Sequence, residues 1–216
     1  MEQVVAFVPV KLNNQRCPRK NTRAFDGGEP LICYILHTLK QVKGLDRIVV
    51  YCSDESIREY LPEGVEFLRR SPELDRNSTQ ILDVLKAFAE DAPANHYVLA
   101  HATAPFLRVQ SIQKGLHMVT EEGYDSALTV TSCTDFLWQE GKPLNYDPHH
   151  IPRTQDLPPL YVETTGLYIY SREMILEQNR RVGDHPYMIK VGKIEATDIN
   201  ESVDFEIANA IYNHII

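Results

Sequence analysis

The chain has 216 residues, 43% hydrophobic and 24% charged, with 22 basic against 30 acidic side chains and a net charge of −8. That length suits one generous core, the composition excludes disordered and fibrous classes, and no apolar run nears the roughly 20 residues of a membrane span. The acidic balance argues against a nucleic-acid binder that works through a broad basic face.

Met1-Glu2-Gln3 carries no basic or long apolar lead, so no secretion signal is expected. Val4 to Val10 follows as a near-continuous apolar run, the mark of a buried parallel strand. Pro30 falls at the first position of a helix that continues through Leu31, Ile32, Cys33, Tyr34, Ile35 and Leu36. Residues 47–52 (RIVVYC) read as a second strand, with Ser53 and Asp54 capping a short helix that runs to Tyr60. Residues 65–68 make a third strand. Asn77-Ser78-Thr79 then opens a helix with Ile81, Leu82, Leu85 and Phe88 on one stripe.

Residues 97–100 are a fourth strand, 111–120 a helix, 126–131 a fifth strand, and 166–170 and 187–191 further strands. A last helix begins near Glu201, with Val203, Phe205, Ile207, Ala210, Ile211 and Ile215 expected to face inward. This alternation predicts an α/β fold, a mostly parallel sheet with helices on both faces, in one domain over residues 1–216. Residues 133–165, which hold the only tryptophan (Trp138), interrupt it and read as a projecting arm. Arms of that length usually cover a site or reach a partner subunit. Cys17, Cys33, Cys52 and Cys133 form no paired spacing, which predicts a reducing, cytoplasmic setting.

In open α/β sheets, ligands bind beyond the carboxyl ends of the strands. The loop after the first strand, residues 11–23, holds Lys11, Arg16, Arg19, Lys20 and Arg23 with no acid among them. A charge run is often only a solvated face, but this one sits where an anion would be held. It lacks the glycines and the Gly-Lys-Ser/Thr ending of a Walker loop and is not a GxGxxG loop.

The stretch VVAFVPVKLNNQRCPRKNTRAFDGGEPLICYIL resembles the start of the cytidylyltransferases that activate acidic sugars. These are the acylneuraminate cytidylyltransferase family and its relative acting on 3-deoxy-manno-octulosonate. Pro9-Val10-Lys11, Pro18-Arg19-Lys20-Asn21 and Gly27-Gly28-Glu29-Pro30-Leu31 stand where such enzymes carry Pro-Ala-Arg, x-Pro-x-Lys-Asn and Gly-Gly-Lys-Pro-Leu. Further matches follow in order: Ser53-Asp54-Glu55, Arg70-Ser71-Pro72-Glu73-Leu74, Asn77-Ser78-Thr79, His101 to Arg108, Arg153 to Pro159, Asp198-Ile199-Asn200 and Asp204-Phe205.

The resemblance implies a Rossmann-like nucleotide-diphospho-sugar transferase fold whose arm makes a homodimer. It implies transfer of CMP from CTP to a nonulosonic (sialic-type) acid, an acidic nine-carbon or related sugar, with release of pyrophosphate and dependence on Mg²⁺. Lys20, Arg16 and Asp198 would be catalytic, and Lys11, Asn13, Arg16, Lys20, Asn21, Arg70 and Thr79 would bind the nucleotide. His101, Arg153, Gln155 and Tyr161 would contact the sugar, with Arg153 suited to its carboxylate. Asp198 and Asn200 would hold the metal, although by spacing alone both fit a helix cap. Lys11 for arginine, Gln15 for lysine, Asn200 for aspartate and Glu163-Thr164-Thr165-Gly166 for Glu-Asn-Gly are departures from the family pattern. They leave open a different sugar or nucleotide, or a nucleotide-binding module without catalysis.

Overall fold

The computed structural model describes residues 3–215. Met1, Glu2 and Ile216, and with them the expectation about a leader, lie outside the described residues. The main sheet is built from β1 (Val4–Val10), β2 (Arg47–Cys52), β3 (Glu66–Arg69), β4 (His96–Ala100), β5 (Ser126–Cys133), β8 (Leu160–Ser171) and β9 (Pro186–Lys190). A separate hairpin pairs β6 (Trp138–Gln139) with β7 (Lys142–Pro143). The strand order is β3-β2-β1-β4-β8-β5-β9, and every adjacent pair is parallel except the two that involve β8. The winding reverses between β1 and β4, which leaves a crevice at the carboxyl rim beside β1.

Among the described residues five α-helices flank the sheet: α1 (Leu31–Lys40), α2 (Ile81–Asp91), α3 (Val109–Thr120), α4 (Arg172–Leu176) and α5 (Ser202–His214). Alternate side chains of β1 divide between two cores. Val4, Ala6, Val8 and Val10 pack under α1 and α3, while Val5 and Phe7 pack under α2 and α4. Phe7 stacks on Phe88 with centroids 3.9 Å apart. A third cluster of Cys17, Phe25, Leu31, Phe106, Ile199, Phe205 and Ala208 glues α5 to the loop after β1. No helix among the described residues is long and apolar enough to cross a membrane.

Several local expectations are corrected. The short helix to Tyr60 is capped by Asp54, which accepts from the Ser56 amide at 2.9 Å, but it is a 3-10 helix of two turns, Glu55–Tyr60, and Ser53 is not its cap. Pro30 is the N-cap of α1 rather than its first residue, and α2 begins at Ile81, with Asp83 accepting from the Gln80 amide at 3.0 Å. Helix α4 was not anticipated; its start is capped by Ser171, whose hydroxyl accepts from the Met174 amide at 3.2 Å.

Strand β8 starts at Leu160, inside the stretch expected to project, and pairs Leu160 to Glu163 with the end of β5. The polar Glu163, Thr164 and Thr165 hid a strand whose side chains answer to a rim rather than to a core. The inward face of α5 is Phe205, Ala208, Asn209 and the partly buried Tyr212, at offsets of three and four. Val203, Ile207, Ala210 and Ile215 are exposed instead, while the half-buried Ile211 packs against the cluster as expected.

Candidate active site

The loop after β1 is prebuilt. Cys17 is buried in the third cluster, and the buried Asn21 donates from Nδ2 to the Lys11 carbonyl at 3.0 Å, closing the loop on itself. Arg19 takes a left-handed φ of 55° to start the single turn Lys20–Thr22, a conformation that costs about 1 kcal/mol in a residue with a β-carbon. That turn drives the Lys20 side chain inward, where Nζ donates to the Ile199 carbonyl at 2.7 Å. Burial pushes the Lys20 ammonium down from its ordinary pKa, and the nearby Asp198 carboxylate opposes the shift.

A polar cleft of about 400 Å³ opens above this loop. It is lined by Lys11, Asn13, Arg16, Lys20 and Asn200, all expected, and by Asn14, Gln15, Cys17, Arg76 and Asn77. Four of these are cationic and none is acidic, in a chain whose net charge is −8. Lys11 Nζ donates to Asn77 Oδ1 at 3.1 Å, so the first loop and the turn before α2 form opposite walls. Arg76, which also pairs with Glu73, was missed by sequence reasoning because its neighbours in sequence carry no phosphate-loop signal.

Asn200 lines the cleft, and Asp198 reaches it through its bond to the Asn200 side chain. Helix α5 is capped by Asp204, whose Oδ2 accepts from the amides of Asn200 at 2.9 Å and Glu201 at 2.8 Å. The side chains of Asp198 and Asn200 are thereby released from capping. Asn200 donates from Nδ2 to Asp198 Oδ2 at 2.7 Å and accepts on Oδ1 from Arg16 at 3.4 Å; Thr165 Oγ1 also donates to Asp198 Oδ2, at 3.1 Å. Among the described residues no group of three or more His, Cys, Asp or Glu side chains is placed to hold a metal. One carboxylate, whose Oδ1 accepts no hydrogen bond among the described residues, beside an amide oxygen is nonetheless the donor set of a hard cation that takes its remaining oxygens from phosphates and water.

His101 continues from β4, its amide donating to the Gly166 carbonyl at 3.1 Å. Burial, with the positive charges of Arg181 and Lys20, holds its imidazole down to about 4, against a smaller opposing pull from Asp198. It is therefore neutral at pH 7.

Other expected residues lie apart from the cleft lining. Arg70 is buried and ion-paired with Asp75, which also accepts from Ser53 Oγ. Thr79 donates to the Glu73 carbonyl at 3.4 Å. In the arm, Arg153 is exposed and engages Asp156 through Nε at 2.7 Å and Nη2 at 3.0 Å, and Gln155 is exposed. The Tyr161 ring lies under the Lys190 ammonium at 4.6 Å.

A cationic cleft at the crevice of a doubly wound sheet defines a nucleotide-binding α/β protein. Residues 5–213 match the family model described as cytidylyltransferase, and the chain belongs to that family. It is 30% identical to an N-acylneuraminate cytidylyltransferase of Oncorhynchus mykiss over 95% of this chain and 49% of that protein. Against the N-acylneuraminate cytidylyltransferase of Streptococcus agalactiae serotype V it is 24% identical, over 93% of this chain and 51% of the other. The chain thus spans about half the length of the curated relatives it matches. A CMP-2-keto-3-deoxy-manno-octonic acid synthetase solved with CTP superposes with a TM-score of 0.72 at 16% identity, covering 99% of this chain and all of that one. At that identity the likeness speaks for the fold.

Proposed function

We propose that this chain transfers CMP from CTP to a nonulosonic, sialic-type acid and releases pyrophosphate. The observation that carries this reading is the acid-free cationic cleft at the carboxyl rim of β1, with Asp198 bonded to its lining residue Asn200. A triphosphate needs such a lining; the names of the relatives at 30% and 24% identity supply the cytidine and the acid.

In the proposed reaction the anomeric hydroxyl oxygen of the sugar forms a bond to the α-phosphorus. The bond from that phosphorus to the oxygen bridging the β-phosphate breaks, pyrophosphate takes the electron pair, and the hydroxyl proton is released. Catalysis of such a displacement consists of positioning and of neutralising charge on the leaving group. Lys11, Arg16 and Arg76 line the mouth and would bind the outer phosphates. Lys20, already desolvated and acted on by the Asp198 carboxylate, would act on the phosphate that reacts.

Asp198 and Asn200 would hold Mg²⁺, which supplies further neutralisation of phosphate charge. His101, neutral, would offer a ring nitrogen to a sugar hydroxyl as an amide would. Arg70, Thr79, Asn13 and Asn21 would shape the nucleotide's surroundings, and Gln155 and Tyr161 would approach the sugar from the arm.

Exposed Trp138, Leu144, Ile151 and Val162 along the arm support a homodimer in which each arm covers the neighbour's sugar site. Ile151→Asp is then expected to shift the mass measured by sedimentation from dimer to monomer. The four free cysteines suit a reducing cytoplasm.

Calorimetry with CTP, UTP, GTP and ATP, followed by pyrophosphate release across a panel of acidic sugars, tests the proposal. Preference for CTP and release only with a sialic-type acid is the expected result. Binding without release from any sugar would leave a nucleotide-binding module, and loss of cytidine preference would remove the substrate assignment.

A further inference from the structure

Two adjacent arginines follow α4, and they are used differently. Arg180 spends its guanidinium on Asp184, with Nη1 at 2.6 Å and Nη2 at 2.8 Å. Arg181 pairs with no carboxylate among the described residues. Its guanidinium carbon lies 3.7 Å from the centroid of the Tyr168 ring, and the Tyr168 hydroxyl is fixed by donation to Glu163 Oε2 at 2.7 Å. Asn179, just before the two arginines, takes a left-handed φ of 55°.

Register places this arginine on the ligand rim. Tyr168 on β8 pairs with Leu99 on β4, and two residues beyond Leu99 on the same face comes His101. Arg181, Lys20 and Asp198 all act on the His101 ring, so Arg181 shares its stretch of rim with the reacting end of the cleft. A guanidinium held over an aromatic ring loses little freedom when it binds, and beyond its contact with Tyr168 the Arg181 guanidinium retains N–H donors for a further acceptor. The arm's Arg153, by contrast, already has its fork filled by Asp156.

Resting on the sialic-acid reading above, we propose that Arg181 is a specificity-determining residue of the acceptor site, its guanidinium edge donating a forked pair of hydrogen bonds to a planar oxygen group of the acidic sugar. The group is the carboxylate or an acyl carbonyl, which share the acceptor chemistry that a guanidinium fork reads.

The test compares wild type with Arg181→Ala and Arg181→Lys, each checked for an unchanged melting temperature, in two measurements. Calorimetry follows binding of N-acetylneuraminate, its counterpart with a C5 hydroxyl in place of the acylamide, and its methyl ester. Steady-state pyrophosphate release gives KM for sugar and for CTP separately. The expected result is an about 10- to 100-fold weaker sugar affinity in Arg181→Ala with CTP affinity kept, partial recovery in Arg181→Lys, and rescue of Arg181→Ala by added guanidinium. A loss shared by both acids but absent with the ester assigns the carboxylate; a loss confined to the acylated sugars assigns the carbonyl. Equal sugar affinity in wild type and both variants overturns the proposal, as does a wild type that binds none of the sugars. A wild type that binds acid through Arg181 yet releases no pyrophosphate would instead sink the catalytic reading alone.

Discussion

Lys20 and Ile199 lie 179 positions apart in sequence, and the ammonium of the first donates to the carbonyl of the second at 2.7 Å. That bond ties the loop after β1 to the segment carrying Asp198 and Asn200, so one buried cation fixes one wall of the cleft against the chain behind it. Lys20→Met should lower kcat/KM for CTP by about 100- to 1,000-fold, the scale of losing one preorganised charge at a phosphoryl transfer. Pyrophosphate release and CTP calorimetry check it. Activity within threefold of wild type would remove Lys20 from the reacting phosphate.

Asn200 sits between Arg16 and Asp198 as a neutral bridge, donating to one and accepting from the other. In Asn200→Asp the donor is lost and a second carboxylate faces Asp198. Without cation the variant should melt below wild type. With millimolar Mg²⁺ it should gain more in melting temperature than wild type does, because two carboxylates bind the ion better than one. Scanning calorimetry with and without Mg²⁺ reads both effects; equal Mg²⁺ shifts would take Asp198 and Asn200 out of the metal site.

The imidazole of His101 titrates near 4 in the folded chain against an ordinary 6.5. Between those values the unfolded chain takes up a proton that the folded one refuses. Stability therefore falls as pH drops from about 6.5 toward 4, by at most about 3 kcal/mol, and levels off below. His101→Gln should flatten that portion of the urea-midpoint-versus-pH curve. Arg181→Ala, by removing a neighbouring cation, should raise the His101 value seen in a proton NMR titration.

Phe205 is 1% exposed, packs against Phe25 at 5.2 Å and carries the Arg23 guanidinium over its ring at 3.9 Å. Phe205→Ala should cost about 3–5 kcal/mol in urea unfolding. Because the same cluster holds Cys17 and Ile199, CTP affinity should weaken along with stability.

The parallel strands were legible because their side chains answer to two cores at once: Val4 to Val10 is apolar at nearly every position, and the strand is where the run is. Lys11, Arg16 and Lys20 were legible for a related reason, since a strand's carboxyl end and a local charge excess coincide in sequence. Helix α5 was read out of phase because Val203 and Ile207 are apolar but exposed, while the inward face is completed by Asn209, bonded to Asp26 at 2.8 Å. Arg76 and Arg181 gave no signal, as the first matters through a wall made with Lys11 and the second through a ring on β8. Such residues acquire meaning only from neighbours brought up by the fold.

The reversed direction of β8 has a consequence for how this scaffold can diversify. Because that strand enters the sheet at the rim where its antiparallel neighbours β4 and β5 end, the long connection from β5 is delivered to that rim and not to the opposite one. Insertions and deletions there can then remodel the proposed sugar site while leaving the cationic cleft beside β1 untouched. A swap of residues 134–159 between relatives ought then to transplant acceptor preference as a cassette.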